Sequence, residues 1–322
     1  LTPLAEILER LIPKLGMLEG GAAPLEGGIT NRNYVARFDG RSYVIRLPGK
    51  DTGLLEIDRE AEREAGEAAA RAGVGPEVAA MLTDPPCLVT RFVEGHEMSP
   101  AELREPAALA EVARLARALH ESGERVRSTF SGFRIVETYA ATARGRGAEV
   151  PAAYARAHAT AARIEAALHG PKSRPTGRFV DEESTFRPTG PEVLCHNDFL
   201  AANFLRSGDG IRIVDWEYAG MGDRFFDLGN FAVNNELSEA EEEAFLAAYL
   251  GEPPAPAQLA ALRLMRFMSD FREAMWGVLQ GSLSDLDFDF AAYAAKHFDR
   301  LAAAEAAPGF EALIEDASGL AS

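Results

Sequence analysis

The sequence predicts an α+β protein with a bilobal organisation: a small lobe holding an antiparallel sheet and a helix, then a larger, mostly helical lobe. Up to residue 93, short β-rich segments alternate with helical stretches; beyond it the 3.6-residue period takes over. The 322-residue length accommodates two such units at roughly 150 residues each. A composition of 47% hydrophobic and 26% charged residues is that of a folded chain, which sets aside disordered, collagen-like and coiled-coil architectures.

Leu4, Ile7, Leu8 and Leu11 recur at helical spacing, and Pro13 is expected to end that opening helix. The pattern then changes to a hairpin, with β-rich segments at 34–38 and 43–47 around Asp39-Gly40, a dipeptide that readily takes the positive φ angles of a tight turn. Residues 57–72 are rich in Glu, Arg and Ala, as a helix should be, and the run stops at Gly73-Val74-Gly75-Pro76. Two further strands fit 77–82 and 87–93, separated by Asp84-Pro85-Pro86. In the larger lobe, Leu109, Val112, Leu115, Ala116 and Leu119 mark a helix, and others are expected at 152–168, 239–249, 258–279 and 290–307. The stretch 170–191 has no clear period and reads as a surface loop.

No uninterrupted apolar run approaches the roughly 18 residues of a membrane span, and residues 1–11 form an amphipathic pattern containing acids. A cytoplasmic protein with no membrane partner is therefore expected. Cys87 and Cys195 lie too far apart to suggest a disulfide framework or a zinc spacing, so any metal must be held by oxygen or imidazole. With 33 Lys and Arg against 50 Asp and Glu, the formal charge is −17. That balance argues against nucleic-acid binding and is compatible with a cationic substrate.

The most informative segment is 193–205, where His196, Asp198 and Asn203 stand in a His-x-Asp-x-x-x-x-Asn spacing. An apolar strand at 211–214 then runs into Asp215, twelve positions after Asn203. This order is that of a kinase catalytic loop. The first Asp accepts the proton of an attacking hydroxyl. The Asn oxygen and the later carboxylate are hard ligands for Mg²⁺, which bridges nucleotide phosphates. Asp198 is thus the expected catalytic residue, Asn203 and Asp215 the expected metal ligands, and ATP and Mg²⁺ the expected cofactors. His196 is expected to pack and hydrogen-bond the loop rather than carry a proton. A polar loop followed by a capping Asp has the same composition; the strand entering Asp215, in the right order after a β-rich lobe, separates the two readings.

These residues resemble the aminoglycoside phosphotransferase and choline kinase superfamily, small-molecule kinases with a protein-kinase-like bilobal fold, from about Gly27 to about Arg300. Segments 272–280, containing Trp276, and 286–294, containing Tyr293, are similar to the choline and ethanolamine kinase branch. The resemblance implies a nucleotide-binding lobe at 1–93 and a catalytic and acceptor-binding lobe at 94–322. It implies that the turn through Gly28, Thr30 and Asn31 covers the phosphates, where glycines let backbone amides approach. Arg46 would engage phosphate oxygens where protein kinases place a Lys. The segment 90–95, containing Phe92, resembles the family's inter-lobe linker, whose backbone amides would pair with adenine. The partner of Arg46 should be a Glu on the following helix. Composition leaves Glu56, Glu60, Glu62, Glu64 and Glu67 open; the family's Arg-x-x-Glu register, matched by Arg59 and Glu62, picks Glu62.

Choline kinases, as a family, cage a quaternary ammonium with aromatic faces and acidic residues. Trp276 and Tyr293 match two such aromatic positions. Glu273 stands where the family often has a second Trp, and Asn234-Asn235 where an acid–aromatic pair follows the segment Asp227-Leu228-Gly229-Asn230. A carboxylate at 273 suits an ammonium that donates hydrogen bonds, such as a primary amine. The implied protein is an ATP-dependent kinase for a hydroxyl of a cationic amino alcohol, with Trp276, Tyr293, Glu273 and Glu217 at the acceptor. Glu217 and Asp227 are equally explained by capping and loop hydrogen bonds. The alternatives are another small hydroxyl acceptor, such as an aminoglycoside, thiamine or homoserine, and a nucleotide-binding protein without turnover.

Overall fold

The computed structural model describes residues 4–25, 31–49, 52–170, 192–284 and 286–320. Helix α1 (Leu4–Leu15) is followed by β1 (Leu18–Leu25), β2 (Asn31–Phe38), β3 (Arg41–Pro48), α2 (Arg59–Arg71), β4 (Val78–Thr83) and β5 (Pro86–Arg91). The strands form one antiparallel sheet in the order β1-β2-β3-β5-β4. Ile7, Leu8 and Leu11 of α1 share a core with Phe38, Tyr43, Ile45, Leu47 and Val89 of the sheet. Pro13 does not end α1, as the sequence led us to expect. The helix runs to Leu15 and stops at Gly16, whose φ is 96° and whose amide bonds the Ile12 carbonyl at 2.9 Å. A proline in the last turn forfeits a hydrogen bond, and the left-handed glycine is the stronger stop.

The β2–β3 turn has positive φ at both central residues, 44° at Asp39 and 75° at Gly40, as a tight hairpin requires. Along β3, Tyr43, Ile45 and Leu47 are buried, so the two-residue period turns Val44 and Arg46 to the opposite face, where both line a cleft. A strand can thus carry a cation to the site without losing its core contacts. Helix α2 starts at Asp58, whose carboxylate accepts from the Glu60 and Ala61 amides at 2.9 and 3.2 Å. Its Ala65, Ala68 and Ala69 pack into the larger core rather than the smaller one, and this anchors Glu62 over the cleft.

The chain enters the larger lobe through β6 (Gly95–Glu97). There follow α3 (Pro100–Leu103), α4 (Pro106–His120), α5 (Gly132–Gly145), α6 (Ala153–His169), β7 (Val193–Cys195), β8 (Phe204–Ser207), β9 (Gly210–Ile213), β10 (Gly220–Gly222), α7 (Arg224–Asn234), α8 (Glu239–Leu250), α9 (Pro256–Gln280), α10 (Phe290–Ala306) and α11 (Phe310–Ala317). β8 pairs with both β6 and β9, and β7 with β10. Residues 171–191, expected as a loop, lie outside the described residues. Among the described residues no helix is long and apolar enough to cross a membrane.

Helix α9 is buried on nearly all sides from Ala260 to Gln280, the pattern of a helix at the centre of a core. It packs against both α7 and α10, and the approach to α7 depends on Gly229. A Cβ there would lie 2.6 Å from the Met265 carbonyl carbon and 2.7 Å from the Arg266 nitrogen. Gly229→Ala must push the two helices apart and is expected to cost about 1–3 kcal/mol of stability. A lower urea midpoint at unchanged slope checks this; an unchanged midpoint would show that the helices have room.

Candidate active site

A cavity of about 510 Å³ opens between the sheet and the helical lobe. Val44, Leu88, Thr90 and Phe92 line it from the sheet side, and Leu200, Leu205 and Val214 from the other. Asp198, Asn203 and Asp215 line the same space, as do Glu273, Trp276 and Tyr293. The structure therefore brings together residues separated by more than two hundred positions.

The loop bearing Asp198 is braced from all sides. Asn197 has a positive φ of 66°, a conformation that Asn tolerates better than most side chains. The Asp227 carboxylate accepts from the backbone amides of His196 at 2.8 Å and Asn197 at 2.6 Å. Asn230, one turn further along α7, accepts from the Phe199 amide. His196 is fully buried; its Nδ1 accepts from the Asp198 amide at 3.2 Å, which leaves Nε2 to donate to the Val214 carbonyl at 2.9 Å. That bond ties the loop to the strand end preceding Asp215. His120, Cys195 and Asp227 place ligand-type atoms within 4.8 Å of one another. The Asp227 oxygens are already engaged by the two amides and by His120 Nε2 at 3.1 Å, so this cluster acts as a brace.

Asp198 is held by two donors. Asn203 Nδ2 donates to its Oδ2 at 3.2 Å and to its backbone carbonyl at 2.8 Å; Arg272 Nη1 donates to its Oδ1 at 2.9 Å. Burial pushes the Asp198 carboxyl above its ordinary range; Arg272 pulls against this and Glu273 adds to it. With the Asn203 nitrogen committed to Asp198, the amide oxygen is the atom left for the cavity. Asp215, with a positive φ of 69°, supplies a carboxylate to the same space. Two hard oxygen donors of this kind fit Mg²⁺.

Arg46 Nη1 donates to Glu62 Oε1 at 3.0 Å and also to Asp215. Burial disfavours the Arg46 charge, but Asp215, Glu62 and Glu217 more than offset it and hold the guanidinium above its ordinary range. Glu62 is 1% exposed, and Arg59 Nη1 meets its other oxygen at 2.7 Å. Of the five acids open by composition, Glu62 is joined to Arg46. Glu217 Oε2 accepts from Asn31 Nδ2 at 2.8 Å and from Arg59 Nη1 at 3.3 Å, while Arg59 Nη2 donates to Asn31 Oδ1 at 2.9 Å. Glu217 lines the cavity and at the same time links the two lobes; Asn31 contributes to this network and is not among the cavity-lining residues. Gly28 and Thr30 lie outside the described residues.

The wall opposite is aromatic and charged. The Trp276 and Tyr293 rings stand edge to face, with centroids 5.7 Å apart. Tyr293 donates to Glu273 Oε2 at 2.6 Å, and Trp276 Nε1 donates to the Tyr218 hydroxyl at 3.2 Å. Burial first, and Glu273 second, raise the Tyr293 phenol above its ordinary range, so it stays protonated and remains a donor. Arg272 and Tyr218 have no role assigned from the sequence. The available signal was the Arg272-Glu273 pair set between Phe271 and the apolar run Ala274-Met275-Trp276, since charges buried at such positions need partners.

The chain belongs to the phosphotransferase enzyme family, whose model matches residues 21–262. It is similar to protein LicA of Haemophilus influenzae, 25% identical over 280 residues, covering 85% of this chain and 76% of that protein. It is also similar to human ethanolamine kinase 1, 23% identical over 332 residues, covering 91% of this chain and 69% of that protein. Among solved structures, a choline/ethanolamine kinase family protein from Mesorhizobium loti superposes with a TM-score of 0.78 at 29% identity, covering 98% of this chain and 99% of the other. The fold is accordingly the protein-kinase-like, two-lobed α+β architecture that the sequence predicts.

Proposed function

We propose that this member of the phosphotransferase enzyme family transfers the γ-phosphoryl group of ATP to a hydroxyl of a cationic amino alcohol of the choline or ethanolamine class. The observation that carries this is one cavity lined at once by Asp198, Asn203 and Asp215 and by Trp276, Tyr293 and Glu273. Similarity to an ethanolamine kinase and to a choline/ethanolamine kinase family structure supports the same acceptor class. Residues 1–93 then serve as the nucleotide lobe and 94–322 as the catalytic and acceptor lobe.

Asp198 orients the acceptor hydroxyl and takes its proton as the phosphorus–oxygen bond forms. Arg46, positioned by Glu62, offers N–H donors to the phosphates. Asn203 and Asp215 would hold Mg²⁺, which when bound offsets phosphate charge. The adenine fits the apolar walls beside Phe92. At the acceptor, two carboxyl groups, Asp198 and Glu273, stand beside one guanidinium, Arg272, and this surplus of acids together with the two ring faces suits a monocation. A panel of choline, ethanolamine, thiamine, homoserine and an aminoglycoside, incubated with Mg²⁺ and ATP and read by product mass, is expected to give phosphocholine or phosphoethanolamine as the main product. Phosphorylation of a neutral acceptor alone would remove the cationic-pocket argument, and ADP release no greater with any acceptor than in water would favour a binding protein without turnover.

A further inference from the structure

Arg272 occupies a place in this site that its neighbours alone do not require. It lies in the middle of α9 at 2% exposure, and its single Nη1 donates to Asp198 Oδ1 at 2.9 Å and to Glu273 Oε1. The guanidinium carbon sits 4.4 Å from the centroid of the Tyr218 ring. Nε and Nη2 have no hydrogen-bond partner among the described residues, and the guanidinium they belong to lies over the ring. The far oxygen of each carboxylate is tied as well, Asp198 Oδ2 by Asn203 Nδ2 at 3.2 Å and Glu273 Oε2 by the Tyr293 hydroxyl at 2.6 Å. One unbroken chain of contacts therefore runs from Asn203 through Asp198, Arg272 and Glu273 to Tyr293. Two carboxylates this close would repel and rotate without the bridge, and a planar cation stacked on a ring fixes both at once.

We propose that Arg272 is a positioning residue that sets the orientation of the Asp198 carboxylate against the acceptor wall through its shared contact with Glu273. The inference rests on the kinase reading above. Arg272→Lys keeps the charge and loses the planar fork and its stacking. Turnover should fall by about 10- to 100-fold, the scale of a misplacement near 1 Å, while calorimetry finds nucleotide affinity unchanged. In an Asp198→Asn background the same substitution should add less than about twofold, because a residue acting through Asp198 has nothing left to orient. Wild-type turnover in a folded Arg272→Lys protein overturns the role, as does an undiminished loss in the Asn background. Should the Lys variant fail to fold, Tyr218→Leu measured against Tyr218→Phe probes the stacking instead: both lose the hydroxyl that Trp276 Nε1 meets, so turnover at least about tenfold lower in the Leu than in the Phe variant is expected, and equal turnover in the two overturns the role. A wild-type protein that phosphorylates no acceptor would defeat the kinase reading itself, whereas an active wild type with an unaffected Arg272→Lys protein defeats only the role of Arg272.

Discussion

Replacing Asp198 by Asn is expected to lower turnover by roughly 10²- to 10⁴-fold, the usual contribution of a positioned proton acceptor. The change is nearly isosteric, but Arg272 Nη1, 2.9 Å from Oδ1, and Asn203 Nδ2, 3.2 Å from Oδ2, are both donors, and the Asn amide offers an acceptor oxygen to only one of them. The capacity to accept the acceptor's proton disappears as well. Arg46 and Glu62, proposed to serve the phosphates, make no hydrogen bond to Asp198 among the contacts described and should be undisturbed. Nucleotide affinity measured by calorimetry should therefore match the wild type while steady-state turnover collapses. If turnover were nearly retained, another group would have to take the proton. If nucleotide binding were lost together with turnover, Asp198 would belong to the phosphate site.

Sequence reading grouped Asp198, Asn203 and Asp215, which line one cavity, because they are local: they lie within eighteen positions and are held by a short hairpin. It reached the β2–β3 hairpin through Asp39-Gly40, and Arg46 through the resemblance to kinases that carry a cation at this strand position. It did not reach β1, because 18–25 contains Gly20, Gly21 and Pro24, lacks β-branched residues and forms a largely exposed edge with an irregular register. Helix α5 escaped notice because it opens on Gly132 and interleaves Arg134, Glu137 and Thr142 among its buried positions. The bracing by Asp227 and Asn230, the Arg272 bridge and the link from Glu217 to Asn31 and Arg59 are long-range side-chain contacts. Residue spacing carries little information about such pairs, since each partner taken alone reads as a cap or a surface charge.

Asp215→Asn is expected to abolish the dependence of nucleotide affinity on Mg²⁺. Asn tolerates the left-handed backbone that this position adopts, with φ of 69°, so the substitution tests the charge rather than the fold. Asp215 supplies a carboxylate to the cavity next to Asn203 and also pairs with Arg46. Removing its charge weakens the hold on a divalent cation, and it leaves Arg46 with the Glu62 carboxylate as its direct partner at 3.0 Å. The two effects have opposite signs. Without Mg²⁺, one fewer negative charge near the phosphates should leave ATP binding equal to or tighter than in the wild type. With Mg²⁺, a lost charge-assisted contact of about 1.5–3 kcal/mol corresponds to roughly 10- to 100-fold weaker binding relative to wild type. Calorimetry with and without Mg²⁺ separates the two: an unaltered Mg²⁺ dependence in the variant would exclude Asp215 as a ligand, whatever happens to turnover. Weaker binding in both conditions would point instead to a disturbed Arg46, because only the loss of a metal ligand confines the effect to the Mg²⁺ arm.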